Sequence, residues 1–249
     1  MAFSGTHAYI AILIKNQISY RKWFFASFLL GSIIPDIDYL FSKLHLFISI
    51  PDSLSILNKT FAHSIVFTII VYLSLLITYE IKKNKKYINM ANGVLLGISF
   101  HIFIDLFLWY DKIDLFWPLP LEGIHIWNIT LSKKIFILVS IMEFVFFRIF
   151  ASFSIQSILY YPGENKYFIK TLTIWMKLLT PTTVIFIATS YFINIYFVQL
   201  IFFICYIPSL YMMIYTVYYL WDSFDYFKNK ETSTIEEEYN ERKNLININ

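Results

Sequence analysis

Six residues that can bind a metal ion lie in the first half of the chain, inside apolar segments or at their ends. They are His7, Asp36, Asp38, His63, His101 and Asp105. Imidazole and carboxylate ligands together suit zinc, and also manganese or iron, whereas a shell of oxygen ligands alone suits magnesium. If the fold brings these residues together, the sequence predicts a divalent metal site, with zinc as the preferred ion.

The pair His101 and Asp105 lies within the apolar run VLLGISFHIFIDLFLWY. Residues four apart share one face of a helix, with Cβ atoms about 5–6 Å apart. Ionisable groups inside a membrane-spanning segment usually face an interior site and have a partner. Gly93 and Gly97, also four apart, would let a neighbouring helix approach closely. Taken alone, the His–Asp pair could equally be a structural hydrogen-bonded pair.

Asp36 and Asp38 occur in the sequence Pro35-Asp36-Ile37-Asp38. Pro35 ends the preceding apolar segment, because a residue before proline is pushed out of the α region. In an extended turn, side chains two residues apart point the same way. Two carboxylates so placed repel each other unless a cation lies between them. A plain helix stop is the alternative interpretation of this motif.

Seven apolar segments must position these residues, at about 8–19, 23–34, 64–81, 90–110, 135–156, 171–197 and 199–221. Of the 249 residues, 58% are hydrophobic and 15% charged, whereas soluble domains have about 45–50% and about 25%. A helix needs about 20 residues to cross the hydrocarbon core, so the first two segments are short. We therefore expect an all-α fold, a multi-pass transmembrane bundle of about 6–7 helices.

The basic loops predict the orientation of the chain in the membrane. Lysine and arginine are enriched in cytoplasmic loops, and the basic loops here contain Arg21 and Lys22, the cluster 82–86, Lys166 and Lys170, and Lys228 and Lys230. The C-terminus is then cytoplasmic, and the six candidate ligands converge in one layer on the outer side.

The chain divides by composition into three parts. Residues 1–134 are predicted to form the helical core with the metal site, 135–225 to add further transmembrane helices, and 226–249 to form a polar cytoplasmic tail. The aromatic run around 202–219 is interpreted as packing. The net charge of only +3 gives no reason to expect a nucleic acid partner.

Four other ionisable residues are assigned no chemistry. Glu143 and Arg148 are interpreted as structural residues that could pair loosely across a helix turn, and His45 and His125 as surface residues in loops. The single cysteine, Cys205, excludes an intrachain disulfide and is read as an apolar packing residue.

Five short motifs in a fixed order resemble the YdjM family of bacterial inner-membrane proteins. The family pattern is TH near the start, LPDxDH, HRGxTHS, GxxSHxxxD and a later WP. The matching stretches cover about residues 5–120 and are Thr6-His7, Leu30 to Asp38, Ala62-His63-Ser64, Gly97 to Asp105, and Leu115 to Pro118. Each motif alone is weak, and five in order are more specific.

The resemblance implies a membrane-bound, metal-dependent hydrolase with a site built from the six residues gathered above. The chain departs from the pattern at Tyr39, Asn58, Lys59 and Ala62, which stand where the family has His, His, Arg and Thr. Lysine lacks the bidentate fork of arginine, and asparagine at 58 would weaken a second metal position. The alternatives are one metal where relatives bind two, or a loss of activity.

The leading hypothesis is thus a metal-dependent hydrolase, in which whichever of Asp36 and Asp38 is not a ligand acts as general base. His7 would be a ligand or a partner of a ligand. The depth of the site and a Trp117-Pro118 lid suggest a phospholipid or other amphiphilic ester as substrate, and a small-molecule substrate is the alternative. Membrane lipids are the expected partners.

Two hypotheses of other classes stay open. One is a degenerate scaffold or accessory protein without catalysis. The other is an ion or proton pathway, because intramembrane His–Asp pairs also serve as relays. A pathway needs polar residues across the whole membrane, and the inner half of the segments has few.

Overall fold

The computed structural model describes residues 3–18, 21–38, 60–108, 112–124, 126, 132–161 and 165–226. The principal helices are α1 Ser4–Leu13, α2 Phe24–Gly31, α3 Ile65–Lys82, α4 Lys85–Leu108, α5 Lys133–Tyr160, α6 Phe168–Ser190 and α7 Ile195–Tyr219. A 3₁₀ turn, Ile34–Asp36, follows α2. The predicted all-α fold is confirmed, and each of the seven predicted segments corresponds to one of these helices.

Five of the helices, α3 to α7, are long and apolar enough to cross a membrane. The chain is thus an integral membrane protein. Helices α1 and α2 have ten and eight residues, which gives lengths of about 15 and 12 Å against a hydrocarbon core of about 30 Å. Each of the first two helices is thus shorter than the core, in agreement with the short first two segments of the sequence, which are either a shallow hairpin or helices extended by their flanks. Most residues of α2 are buried among the longer helices.

The largest hydrophobic core joins the short helices to the C-terminal ones. It includes Phe25 of α2, Phe144 and Phe147 of α5, and Phe202 of α7. Residues from both sides of the predicted boundary at position 134 therefore share one core. The division of the chain at that position stays a prediction.

Helices α2 and α4 approach each other closely enough for backbone contact. A Cβ atom on Gly31 would lie 2.6 Å from the carbonyl oxygen of Val94, and one on Gly97 would lie 2.9 Å from the Cα atom of Gly31. Real side chains cannot occupy such space without moving one helix. The close approach predicted from Gly93 and Gly97 is confirmed, and it brings His101, one turn after Gly97, to the end of α2.

Replacing Gly97 with alanine is expected to push α2 away from α4 and to lower the free energy of unfolding by about 1–3 kcal/mol, the usual cost of overpacking. The added methyl group would meet backbone atoms of Phe28 and Ser32, which cannot swing aside. Thermal unfolding in detergent measures the effect. Leu96→Ala, at a half-exposed position of the same helix, is the matched control. Equal melting temperatures for the two variants would contradict the close packing.

Candidate metal centre

Four buried residues from three parts of the fold form a group that could hold a metal ion. They are His7 of α1, Asp36 of the 3₁₀ turn, and His101 and Asp105 of α4. Each offers one ligand atom, and these atoms lie within 4.8 Å of one another. All four side chains are inaccessible to solvent. The structure thus brings together four of the six residues that the sequence predicted as ligands.

Asp105 lies between three imidazole rings. Its Oδ1 atom is 3.2 Å from Nε2 of His7, and its Oδ2 atom is 3.3 Å from Nε2 of His63 and 3.5 Å from Nε2 of His101. The ring of His7 also stacks on that of His101, with centroids 3.7 Å apart. His63, just before α3, therefore adjoins the four-residue group and directs a nitrogen atom towards it.

The hydrogen bonds at the outer ring nitrogens fix which nitrogen of each imidazole is protonated. Nδ1 of His101 lies 2.8 Å from the carbonyl oxygen of Ser32. A carbonyl can only accept, so this nitrogen donates and the neutral ring keeps its lone pair on Nε2. Nδ1 of His63 lies 3.2 Å from Oδ2 of Asp38, with the same consequence. Metal-binding histidines are usually oriented in this way by an oxygen at the other nitrogen.

The two lone pairs face each other. Nε2 of His63 and Nε2 of His101 are 3.1 Å apart, and with neither atom protonated they repel. A cation or a shared proton between them removes that repulsion. The Nδ1 atom of His7 is buried and has no hydrogen-bond partner among the described residues.

A divalent ion fits the size and chemistry of the group. Ligand atoms bound at about 2.0–2.2 Å to one tetrahedral zinc ion are about 3.3–3.6 Å apart, so atoms within 4.8 Å of one another need to approach by roughly 1 Å, which side-chain movements can supply. Two imidazoles and two carboxylates are also a donor set that zinc, manganese and iron accept.

Asp36 and Asp38 do not act as the adjacent pair that the sequence suggested. The extended turn predicted after Pro35 is wrong, because residues 34–36 form a 3₁₀ turn and 37–38 are helical. Side chains two residues apart in a 3₁₀ helix point about 120° apart. Asp36 therefore points towards His7, His101 and Asp105, the other members of the group. Asp38 points elsewhere, and its Oδ2 atom accepts hydrogen bonds from the amide of Ala62, at 2.7 Å, and from His63.

Glu143 of α5 holds the first turn of α1 in place. Its carboxylate accepts hydrogen bonds from the amide of Gly5 and from the amide and hydroxyl of Thr6. The first amides of a helix lack partners inside it, and Phe3 at the N-cap supplies none. The loose pairing of Glu143 with Arg148 that the sequence allowed does not form, because residues five apart lie about 140° apart around a helix. Arg148 donates to Thr180 instead.

Ser4 and Tyr206 are two further polar residues at the site that the sequence did not single out. The Ser4 hydroxyl donates to Oδ2 of Asp36 at 2.9 Å and lies 2.7 Å from the hydroxyl of Tyr206 in α7. Nothing distinguished this tyrosine in a chain with 19 of them. The sequence signal for polar contacts between the C-terminal helices and α1 was Glu143, because an acidic residue in an apolar segment predicts a polar partner inside the bundle.

The segment around Trp117 packs beside His63. The carbonyl of Leu115 accepts a hydrogen bond from the amide of Ile65 at 2.9 Å, and the ring of Phe61 contacts the ring of Trp117, with centroids 5.4 Å apart. Several apolar side chains of this segment are exposed, among them Leu119 and Leu121.

Some sequence predictions concern residues outside the described ranges. These include His45 and His125, the family departures Tyr39, Asn58 and Lys59, and the tail from residue 227 onwards. Ala62 is described: its side chain is buried, and its backbone amide makes the hydrogen bond to Asp38.

Comparison with known proteins finds one family. The model of the YdjM inner membrane protein family matches residues 2–220. No curated protein and no solved structure matches significantly. The match continues through α7, well beyond the stretch of about 5–120 that contains the five motifs, so it includes Glu143 and Tyr206.

Proposed function

The chain belongs to the YdjM family of inner membrane proteins, and we propose that it is a metal-dependent hydrolase whose buried His–Asp group holds a divalent ion, preferably zinc. The supporting observation is the buried group of His7, Asp36, His101 and Asp105, whose ligand atoms lie within 4.8 Å of one another. Nδ1 of His101 donates to the carbonyl of Ser32, which leaves the lone pair of its Nε2 atom directed at the Asp105 carboxylate, 3.5 Å away.

His7, Asp36, His101 and Asp105 would hold the ion, because their ligand atoms form the closest group. A bound divalent ion would polarise the scissile bond and lower the pKa of the attacking water. The residues of the chain would then have to orient that water, accept its proton and keep the site closed to bulk solvent.

His63 is the residue best placed to accept the proton. Its Nε2 atom adjoins the group and its Nδ1 atom donates to Asp38. A histidine oriented by a carboxylate can accept a proton, and the carboxylate stabilises the imidazolium that forms. We therefore assign the general base to His63, with Asp38, the member of the aspartate pair that lies outside the group, acting through it.

An amphiphilic ester or phosphoester is the substrate class that the surroundings favour. His101 and Asp105 lie seven and three residues before the end of α4, about 10 and 5 Å along the helix. The site is therefore near one end of a helix suited to cross the membrane. Exposed Leu119 and Leu121 near it offer an apolar surface to an acyl chain. With the basic loops on the cytoplasmic side, this end would be the outer one, and the C-terminus would be cytoplasmic.

Elemental analysis of the protein, purified in detergent through a tag that contains no histidine, tests the proposal. We expect about one divalent ion per chain, mostly zinc, because buried sites of this type bind tightly at neutral pH. Dialysis against a strong chelator should remove the ion, and zinc should restore it.

A metal-free protein that is folded and localised normally would contradict the proposal and support the scaffold alternative. One observation favours that alternative: the contacts of Asp105 with His7 and His63 are ion pairs if the rings are protonated. Protonated rings could then hold the group together without a metal.

A further inference from the structure

A chain of hydrogen bonds leads from α7 to the carboxylate of Asp36. The Ser4 hydroxyl has one proton, which it donates to Oδ2 of Asp36 at 2.9 Å. The 2.7 Å contact between the hydroxyls of Ser4 and Tyr206 must then be a bond that Tyr206 donates. The direction of both bonds is thus fixed, from Tyr206 to Ser4 to Asp36, as long as the carboxylate is ionised.

We propose that Tyr206 and Ser4 are positioning residues that fix the orientation of the Asp36 carboxylate as a metal ligand. Ser4 holds Oδ2, and the other oxygen, Oδ1, faces Nε2 of His101 at 3.8 Å. The carboxylate thereby offers one defined oxygen to the ion. This inference rests on the metal site proposed above and extends it to a helix about 170 residues further along the chain.

The hydroxyl and the ring of Tyr206 have separable roles. The ring packs against Phe3, Phe147 and Phe202, and phenylalanine would preserve that packing. The side chain is fully buried, whereas Tyr211 and Tyr215 of the same helix are exposed. A buried phenol requires a hydrogen-bond partner, and the partner here is a residue bound to a candidate ligand. Packing alone does not account for the hydroxyl.

Because the two hydrogen bonds are connected in series, the effects of replacing Tyr206 and Ser4 on Zn²⁺ binding should depend on each other. Tyr206 is linked to Asp36 by hydrogen bonds through the hydroxyl of Ser4, and its own hydroxyl also accepts a long hydrogen bond of 3.5 Å from the Ser4 amide. Once Ser4 has lost its hydroxyl, the tyrosine hydroxyl keeps, of these hydrogen bonds, only the long contact with the backbone amide at position 4, so its removal should not weaken Zn²⁺ binding further. Two independent structural defects would instead add.

The test is Zn²⁺ affinity, measured on the full chain in detergent by competition with a chromogenic chelator. Tyr206→Phe and Ser4→Ala should each weaken Zn²⁺ binding by about 10–100-fold, the usual effect of losing a partner of a ligand. The double variant should bind Zn²⁺ no more weakly than Ser4→Ala. Tyr211→Phe, which removes an exposed hydroxyl from the same helix, should bind Zn²⁺ like the wild type.

A second readout separates positioning from loss of fold. With Co²⁺ in place of Zn²⁺, Tyr206→Phe should change the visible absorption bands of the metal, which report ligand geometry, while far-ultraviolet circular dichroism stays unchanged. Wild-type affinity and spectrum in Tyr206→Phe, or additive losses in the double variant, would refute the inference and leave the metal site intact. A wild-type protein that binds no Zn²⁺ would refute the site as well.

Discussion

Replacing Asp105 with asparagine is expected to empty the site, with metal content falling below about a tenth of the wild-type value. Zn²⁺ affinity should fall by more than the roughly 10–100-fold that follows the loss of a residue hydrogen-bonded to a ligand. The Asp105 carboxylate lies within 3.5 Å of the imidazoles of His7, His63 and His101. The amide is nearly identical in shape but has no charge, so the change removes the ligand and preserves the packing. Elemental analysis and Zn²⁺ competition measure the result.

Glu80→Gln is the matched control, because it removes one carboxylate charge from the opposite end of the bundle, where the side chain is exposed and pairs with Lys83. Its metal content should equal that of the wild type. Wild-type occupancy in Asp105→Asn would show that the contacts of this residue with the three rings are structural and that the ion, if present, is held elsewhere.

Replacing His63 with glutamine is expected to lower the turnover of an ester or phosphodiester substrate by about 10²–10⁴-fold, the usual contribution of a general base. The four residues of the closest group are untouched, so most of the metal should remain bound. Hydrolysis of 4-nitrophenyl esters and of bis(4-nitrophenyl) phosphate, followed beside metal content in the same preparation, gives both quantities.

The two quantities separate the possible roles of His63. Loss of metal together with turnover would make His63 a ligand, as the sequence had suggested, and unchanged turnover would remove it from the mechanism. Asp38→Asn should show a weaker form of the same defect, because Asp38 contacts the ring only at Nδ1. A larger loss of turnover in Asp38→Asn than in His63→Gln would contradict the assignment of His63 as the general base and of Asp38 as the residue that orients it.

The sequence predicted which candidate ligands lie close together where local geometry determined the outcome. The spacing of His101 and Asp105 placed them on one helix face, and Gly97 predicted the contact that brings Ser32 to His101. The prediction for Asp36 and Asp38 failed because it assumed an extended chain after Pro35. Both regular extended and 3₁₀ backbones are compatible with that proline, and the surrounding packing selects between them.

The partners from the C-terminal helices could not be predicted in the same way. The contact between Ser4 and Tyr206 joins residues 202 positions apart, and no periodicity connects them. For Glu143 the sequence indicated that a buried carboxylate needs hydrogen-bond donors, but it did not indicate which ones. Nothing in the helix of Glu143 identifies the amides of Gly5 and Thr6 as those donors. Such pairings depend on which helices meet, and this is decided by the whole bundle.

The bond between Ser4 and Tyr206 has a consequence for biosynthesis. A ribosome adds about 5–20 residues per second, so Tyr206 emerges roughly 10–40 s after Ser4. Throughout most of that interval α1 is already made, yet α7, whose Tyr206 contacts the Ser4 hydroxyl, has not been inserted. If the site binds metal as proposed, full affinity is therefore reached only after α7 has been inserted, and a nascent chain arrested after α4 would have all four residues of the group and still lack Tyr206.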